Sequence, residues 1–455
     1  MQSPAIRNLT RGNAAKNLWR FTVPFLLVYL LQALYGAVDV FVVGRFGNGS
    51  VSVVAVSNGG GIMMLILNLI SGLTTGATVL IGRFVGENDS EKIRRTVGTA
   101  LVSFCVYSLI LTAFFLFALP YVLSFLHIPP EAQNEVYAYA SVCIAGIFFI
   151  TGYNAFSAIF RGLGNSVAPL IFVALACAFN IIGDMILVAG FHMGAFGAAI
   201  ATVAGQALSM SFAAWYMKRV GFPLTRRLFC FDKDLAKELL KIGCPISVMG
   251  TLIDVSFMFI TSVINTMGLT AAAGVGIVGR VNSFAMLPAV SAMGAIAAIT
   301  AQNMGAKKTV RAVHTLKLGI AGTMAFGACA VVLLLSVPER VIGFFIEKNT
   351  VGGAETIKAG ALYARSFCWD YLLVPIVFCT NGFFNGCGRS FFSMLNNVLC
   401  TFAVRIPVTY YFSAVVHASL YEVGFASPAA SVASNVLALA YLASGRWRRK
   451  DVKWL

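Results

Sequence analysis

Long apolar stretches recur along the whole chain, and short polar segments separate them. Most of these stretches exceed the roughly 20 residues that a helix needs to cross a bilayer. Only 11% of the residues are charged, against roughly 25% in soluble domains, which rules out an ordinary soluble fold. The pattern predicts an all-α polytopic membrane protein with twelve transmembrane helices. We place these helices at residues 18–44, 52–82, 95–119, 133–160, 167–190, 195–217, 243–267, 272–301, 312–337, 357–384, 391–416 and 424–445.

Basic residues predict the orientation of the chain in the membrane. The first apolar stretch is too long for a signal-peptide core, so we interpret it as an uncleaved helix. The segments on the side of its N-terminal end carry most of the Lys and Arg residues, which predicts that both termini are cytoplasmic. This distribution accounts for the net charge of +16 without any nucleic acid, and the Trp447 region is predicted to contact anionic lipid. The basic segments are 7–20, 83–95, 218–241, 307–317 and 446–453.

The chain repeats itself in two halves. Aligning Pro24 with Pro245 places Gly47 against Gly268 at the same offset. The segment FRGLGNSVAPL after the fourth predicted helix corresponds to FNGCGRSFFSM after the tenth. Likewise, FGAAIATVAGQ at the start of the sixth helix corresponds to FASPAASVASN at the start of the twelfth. We therefore predict two lobes of six helices, an arrangement typical of alternating-access transporters. The predicted N-lobe is 1–217, the cytoplasmic linker 218–242 and the C-lobe 243–455.

Acidic residues inside apolar stretches are the strongest functional signal. Asp39 and Asp184 each lie in the middle of such a stretch, where a carboxylate is costly and commonly marks an ion path or substrate site. Asn180 lies one helical turn before Asp184, so both side chains project from one helix face. The alternative is a structural role, in which local hydrogen bonds or a buried pair stabilise each acid.

Four further charges lie at membrane depth in the second half of the chain. Asp254, Asp370, Arg280 and Arg405 are predicted to form buried charge pairs, because unpaired charges would be too costly there. The alternative is a second ion site or a substrate site.

The sequence resembles the multidrug and toxin extrusion (MATE) transporters, nearest the DinF-type bacterial branch. The resemblance covers nearly the whole chain and is carried by the order and spacing of several motifs. It implies a bacterial cytoplasmic (inner) membrane protein that exports amphipathic, often cationic compounds in exchange for H⁺ or Na⁺. The motifs are VDVFVVGRFG at 38–47, FRGLGNSVAPL at 160–170, NIIGDMILVAG at 180–190, GAAIATVAGQ at 197–206 and GRVNSFAMLPAVSAMGAIAAITAQNMGA at 279–306.

The resemblance also implies a set of ion-binding residues. Asp39, Asn180, Asp184 and Thr202 match positions that bind the coupling cation in members of similar type, although Thr202 alone is equally consistent with helix packing. Oxygen ligands of this kind suit a hard cation, and two carboxylates in one apolar pocket should share a proton near neutrality. Asp254 and Asp370 fall near acidic positions that serve coupling in another branch.

We interpret the remaining features of the sequence as mainly structural. Pro24 removes a helix hydrogen bond and is a candidate bending point on the helix that carries Asp39. Gln302 and Asn303 are expected to cap their helix and to have no role in transport. The ten cysteines are scattered without a CxxC pair, and the four histidines show no metal-ligand spacing. HExxH and GxSxG are absent from the sequence, so no enzyme chemistry and no cofactor are expected.

Two rival functions differ in class from a drug antiporter. A lipid-linked oligosaccharide flippase of the same superfamily fold would need a cationic cleft, for which only Arg280 and Arg405 are candidates. A non-transporting scaffold gives no reason for Asp39 and Asp184 to converge. We expect the partners to be small amphipathic substrates and membrane lipids, with no nucleic acid, and we expect a monomer.

Overall fold

The computed structural model describes residues 6–126, 128–222, 230–346 and 352–448. Within these ranges the chain is helical and contains no β-strand. Ten helices are long and apolar enough to cross a membrane, and two bent helix pairs bring the number of spans to twelve. In chain order the spans are Ala14–Phe46, Ser50–Glu87, Ser90–Phe125, Pro130–Ala145 with Ile147–Gly162, Val167–Gly190, Gly194–Arg219, Lys233–Asn265, Leu269–Gly305, Thr309–Ser336, Gly353–Phe367 with Asp370–Gly386, Ser390–Val415 and Leu420–Ala443.

Several spans are composed of consecutive helical segments. The fifth is an α-helix followed by a π-helix, the eighth and twelfth each consist of two α-helices, and the eleventh alternates α- and π-helix. A short helix, Pro338–Gly343, follows the ninth span, and a 3₁₀ turn, Arg446–Arg448, follows the twelfth. The component segments are Val167–Asp184, Met185–Gly190, Leu269–Ala285, Leu287–Gly305, Ser390–Cys400, Thr401–Arg405, Ile406–Tyr410, Tyr411–Val415, Leu420–Gly424 and Ala426–Ala443.

The twelve-helix prediction is confirmed, and each predicted stretch overlaps one span, with four stretches ending one or two residues beyond it. The largest difference is at the seventh span, which begins at Lys233 and not at residue 243. The polar sequence here still forms helix because Asp232 caps it, accepting hydrogen bonds from Asp234 N at 3.0 Å and Leu235 N at 3.3 Å. Helix therefore occupies much of the segment predicted as a linker, of which residues 223–229 lie outside the described part of the chain.

Both halves bend their fourth helix at an equivalent place. The fourth span bends by 47° between Ala145 and Ile147, and the tenth bends by 53° between Phe367 and Asp370. At the first of these bends a side chain on Gly146 would collide with Val203 of the sixth span, so glycine lets the two spans touch at the bend. The two bends are the structural counterpart of the internal repeat.

Small residues join the lobes along the second half of the second span. A Cβ atom on Gly72 or Gly76 would collide with the backbone of Gly243 in the seventh span or with atoms next to it, which is why these positions suit glycine. Ser247 Oγ donates to Leu69 O at 2.8 Å across the same contact. These contacts approach the basic loop that follows Glu87, so the lobes are joined on the basic side.

The N-terminal segment crosses this joined side between the lobes. Arg7 N donates to Leu163 O at 2.8 Å, and Leu9 N donates to the Gln302 Oε1 atom at 2.9 Å. Gln302 Nε2 in turn donates to Gly162 O at 3.2 Å. The expectation that Gln302 caps its helix is wrong: its amide connects the N-terminal segment, the fourth span and the eighth span.

On the opposite side the lobes separate. Asn68 of the second span donates a hydrogen bond to the Asp254 carboxylate of the seventh span. Beyond this contact both spans expose large apolar side chains, including Met64 and Met258. A cleft between the lobes therefore opens toward the side that lacks the basic loops.

Asp89 begins the third span on the basic side. Its carboxylate accepts a hydrogen bond from Lys92 N at 3.0 Å, and the Lys92 ammonium lies 3.4 Å away. The backbone hydrogen bond, with the nearby ammonium, lowers the pKa of Asp89 below its usual value. The Asp89 carboxylate therefore stays ionised at neutral pH and keeps its capping hydrogen bond.

Candidate functional site

Four polar side chains from three spans converge inside the N-lobe. Asp39 comes from the first span, Asn180 and Asp184 from the fifth, and Thr202 from the sixth. Thr202 Oγ1 accepts from Asn180 Nδ2 at 3.1 Å and donates to Asp39 Oδ2 at 3.5 Å. The side chain of Asp184 lies against that of Asp39. The structure thus brings together all four residues that the sequence proposed for a cation site.

Small residues bring the fifth and sixth spans close enough to form this cluster. A Cβ atom on Gly205 would come within 2.8 Å of Ala176 O and 3.4 Å of Asn180 N. A Cβ on Gly183 would come within 2.8 Å of Ala201 Cβ. Because both glycines lack that atom, the helices approach closely at the level of Asn180 and Thr202.

The fifth span changes from α- to π-helix directly after Asp184. The π segment is Met185–Gly190, and it ends in a bond from Phe191 N to Ile186 O at 2.9 Å. A π segment widens the helix locally, and such segments occur frequently at functional sites. Asp184 therefore lies where the backbone hydrogen-bond pattern changes from α-helix to π-helix.

The cluster contains more hydrogen-bond acceptors than donors. Asp39 Oδ1, Asn180 Oδ1 and both carboxylate oxygens of Asp184 are buried and have no hydrogen-bond partner among the described residues. Asp184 has 0% of its surface exposed, and Asp39 has 4%. Buried unpaired oxygens are costly, and two adjacent carboxylates repel each other unless a proton or another cation lies between them. This set of oxygen ligands fits H⁺ or Na⁺.

Three residues near the acids were not identified from the sequence. Tyr35 lies one turn before Asp39 on the first span, and Tyr139 and Cys143 of the fourth span also lie within electrostatic range of Asp39. Tyr139 packs against Gly59, where a Cβ atom would collide with its ring. The spacing of Tyr35 and Asp39 was a usable signal, whereas the approach of the fourth span was not visible in the sequence.

Pro24 lies in the same helix as Asp39, about 22 Å away along the axis at 1.5 Å per residue. The helix continues through Pro24 from Ala14 to Phe46, and Pro24 is buried. Next to it, Phe25 packs on Gly294 of the eighth span, where a Cβ atom would meet the phenyl ring. A bend at Pro24 would therefore act directly on the contact between the lobes.

The four C-lobe charges do not form the direct pairs that were expected. All four lie in the described part of the chain, and none forms a salt bridge with another. Asp254 is hydrogen-bonded to Asn68 of the N-lobe, and Arg280 is exposed on the eighth span. The pairing hypothesis fails for Asp254 because this residue faces the other lobe.

Asp370 and Arg405 interact at longer range. Asp370 is 1% exposed, and its Oδ2 atom accepts a hydrogen bond from Ser427 Oγ at 2.7 Å. Arg405 is within electrostatic range of Asp370, and its guanidinium lies 5.1 Å from the centre of the Phe257 ring. The hydroxyl group and the ring therefore supply the close contacts that a salt bridge would otherwise provide.

Arg405 lines a cavity of about 270 Å³ inside the C-lobe. Its walls come from the seventh, eighth, tenth, eleventh and twelfth spans. Aromatic and aliphatic side chains dominate, with a few hydroxyl and amide groups. The residues in the wall include Phe257, Thr261, Asn265, Asn282, Tyr363, Phe367, Arg405, Thr409 and Ser427.

The fold and the buried oxygen cluster define a two-lobe membrane transport protein. The family model described as MatE matches the chain twice, at residues 24–186 and 245–411, and the two matches begin at the prolines that align in the internal repeat. Together the matches cover more than half of the chain. The protein therefore belongs to the MATE family.

Curated relatives cover nearly the full length. The chain is 25% identical to "Probable multidrug resistance protein YoeA" of Bacillus subtilis, over 98% of this chain and 97% of that protein. It is 26% identical to "Probable multidrug resistance protein YpnP" of the same organism, over 97% of each. It is 22% identical to "Probable multidrug resistance protein NorM" of Thermotoga maritima, over 96% of this chain and 94% of that one.

Solved structures share the fold. A structure described as the outward-facing conformation of a multidrug resistance MATE family transporter matches with a TM-score of 0.89 and 22% identity over 100% of both chains. A MATE structure in the bent conformation matches with a TM-score of 0.89, at 22% identity over 98% of each chain. One in the straight conformation matches at 0.86, with 24% identity over 97% of each. Proteins of this fold thus adopt more than one conformation.

Proposed function

We propose that the protein is a secondary active antiporter that exports amphipathic compounds in exchange for H⁺ or Na⁺. Three curated relatives of nearly the same length are named as multidrug resistance proteins, which supports drugs or similar metabolites as substrates. The observation that carries ion coupling is the group of buried oxygens on Asp39, Asn180 and Asp184 that have no hydrogen-bond donor in the described part of the chain. No such group would persist in a passive scaffold, because it destabilises the protein unless a cation binds there.

In this proposal the cation acts on the conformation through charge. A proton or Na⁺ between Asp39 and Asp184 removes their repulsion and draws the first and fifth spans together. Asp39 and Pro24 lie in one helix, so a movement of the helix at Asp39 can be accommodated by bending at Pro24. Pro24 is next to Phe25, which contacts Gly294 of the other lobe. The two lobes can then alternate between openings to the two sides of the membrane.

We further propose that the protein lies in the bacterial cytoplasmic membrane with both termini inside. The basic loops then face the cytoplasm, and the cleft beyond Asn68 and Asp254 opens to the outside. Unpaired acidic groups in the membrane favour cationic substrates in the N-lobe and at Asp254. In this view the protein acts as a monomer among membrane lipids, without catalysis, resident cofactor or nucleic acid.

The flippase alternative has no supporting geometry. A pyrophosphate site would need several cationic side chains in one cleft. Arg405 is the charged residue among the described residues that line the C-lobe cavity, and Arg280 is not one of them. The antiporter therefore remains the function that the site supports best.

Drug accumulation in an efflux-deficient bacterium tests the proposal. Cells that express the wild type should exclude ethidium, whereas Asp39→Asn and Asp184→Asn should accumulate it, because an amide cannot alternate between a charged and a neutral form as a carboxyl group does. Asp234→Asn, which neutralises an acid in the first turn of the seventh span, is the matched control and should export normally. Membrane expression is measured for every variant. Normal export by both site variants at wild-type expression would refute the N-lobe site as the coupling site.

A further inference from the structure

The C-lobe cavity is chemically different from the N-lobe site. The N-lobe cluster offers carboxylate and amide oxygens, whereas the described residues that line the C-lobe cavity include one charged side chain, the cation Arg405. Its Nε atom is buried and has no hydrogen-bond partner in the described chain. Its guanidinium lies against the Phe257 ring and forms no salt bridge with any residue that the structure describes. An arginine held in this way lies beside an aromatic ring and has no carboxylate partner among the described residues.

The remaining wall defines what could bind beside Arg405. Phe257, Tyr363 and Phe367 supply aromatic surface, and Thr409 lies one turn after Arg405 on the eleventh span. Asn282 contributes a buried Oδ1 atom to which no described residue donates a hydrogen bond. A volume of about 270 Å³ lies just below the roughly 300 Å³ at which small-molecule pockets begin. The cavity is thus suited to one compact aromatic group.

We infer that the C-lobe cavity binds aromatic compounds that carry a carboxylate, with Arg405 as the anion-binding residue. A guanidinium presents parallel N–H donors that match both oxygens of a carboxylate. Asn282 Oδ1 accepts a hydrogen bond from an N–H group of the same compound. This inference rests on the proposed function, since it treats the cavity as a substrate site, and it assigns to Arg405 the recognition of the acidic group of a substrate.

Asp370 explains how Arg405 remains available without a salt bridge. Its carboxylate is close enough to balance the charge of Arg405 electrostatically, yet its Oδ2 atom is engaged by Ser427 at 2.7 Å. The guanidinium is therefore stabilised electrostatically in the lobe, while no carboxylate of the described chain forms a salt bridge with it. The ligand carboxylate completes the hydrogen bonding of the arginine.

Equilibrium binding of a matched pair of fluorescent probes tests the inference. Dansylglycine has an aromatic group, an N–H group and a carboxylate, and dansylglycine amide differs only in lacking the negative charge. Both are titrated against the full chain in phosphatidylcholine nanodiscs. The wild type should bind the acid, and Arg405→Gln should weaken that binding by about tenfold or more while affecting the amide much less. Arg365→Gln removes an exposed arginine that pairs with Glu339 and should change neither affinity.

The possible outcomes separate the inference from its rivals. Equal loss of acid and amide binding in Arg405→Gln would overturn the role of charge, and unchanged acid binding would overturn the site. If Arg405→Gln does not fold, competition on the wild type decides: benzoate should displace dansylglycine and benzamide should not, and equal displacement by the two overturns the inference. Loss of acid binding when phosphatidylglycerol is added to the nanodiscs would assign the cavity to a lipid phosphate instead. The assay requires no transport, so failure of the antiport proposal is recognised separately, by ethidium accumulation in wild-type cells.

Discussion

Asn68 and Asp254 form a hydrogen bond that crosses between the two lobes, from the second span to the seventh. The contact lies at the point where the lobes begin to separate. On its basic side, Ser247 and the glycines of the second span hold the helices together. An amide donor that meets a carboxylate at this position is suited to open and re-form as the lobes move.

The first prediction concerns this contact. Asn68→Ala should lower the melting temperature of the protein in detergent, because a hydrogen bond to a charged group contributes about 2 kcal/mol. Asp254→Ala should do the same, and the double variant should be no worse than the more severe single variant. Asn58→Ala is a suitable control, since the bond that the Asn58 side chain donates within the described chain goes to Val54 O in its own helix. Additive losses from Asn68→Ala and Asp254→Ala would contradict a direct coupling between them.

A second prediction concerns Thr202. Thr202→Val keeps the shape of the side chain but removes the hydroxyl that joins Asn180 to Asp39. In proteoliposomes, the cation concentration that gives half-maximal drug export should rise by about tenfold for this variant. Thr202→Ser restores the hydroxyl and should behave like the wild type. If the valine variant has an unchanged cation dependence, Thr202 is a packing residue only.

Much of the fold could be predicted from the sequence because local patterns determine it. The length of each apolar stretch is set by the bilayer, and the repeat is visible when Pro24 is aligned with Pro245. The convergence of Asn180 and Asp184 follows from their spacing on one helix. Gly205, which brings Thr202 to them, is an ordinary glycine in the sequence, and only the structure gives it a role.

Contacts between the lobes could not be predicted. Asn68 and Asp254 are separated by 186 positions, and no local pattern relates them. The expected pairing of Asp254 with an arginine failed for this reason: a charge balance counted within spans does not show which face of a helix each charge occupies. The π segment after Asp184 was likewise absent from the sequence-based prediction, since its residues, MILVAG, do not distinguish π- from α-helix.

The third prediction concerns Gly205. Gly205→Ala would place a Cβ within 2.8 Å of Ala176 O, so the sixth span must move away from the fifth. Such overpacking costs about 1 to 3 kcal/mol and would separate Thr202 from Asn180. We expect reduced ethidium export and a lower melting temperature. Gly60→Ala is the matched control, because no atom lies within 4 Å of its added Cβ; an equal effect of the two substitutions would argue against the helix-contact explanation.

A fourth prediction concerns the longer-range interaction of Asp370 with Arg405. Asp370→Asn should lower the melting temperature, since Arg405 then lacks a compensating charge, at a cost on the order of 1 to 2 kcal/mol. Adding Arg405→Gln to that variant should restore part of the loss. Ser427→Ala removes the hydrogen bond to Asp370 but leaves its charge, so the same Arg405→Gln change should not rescue it. Equal rescue of both variants would show that the charges are not coupled.

The fifth prediction concerns Gln302, whose side chain connects the N-terminal segment to both lobes on the basic side. Gln302→Leu leaves Leu9 N and Gly162 O without their partners, and each lost buried hydrogen bond costs about 1 to 3 kcal/mol. Hydrogen–deuterium exchange at residues 7–9 should therefore become faster. The basic side should also open more readily, because the bridge between the lobes is lost. Gln206→Leu serves as the control, since the Gln206 Oε1 atom is buried without a hydrogen-bond partner in the described chain. Unchanged exchange at residues 7–9 in Gln302→Leu would show that the N-terminal segment is held by Lys308 and Arg311, which donate to Thr10 O and Gly12 O.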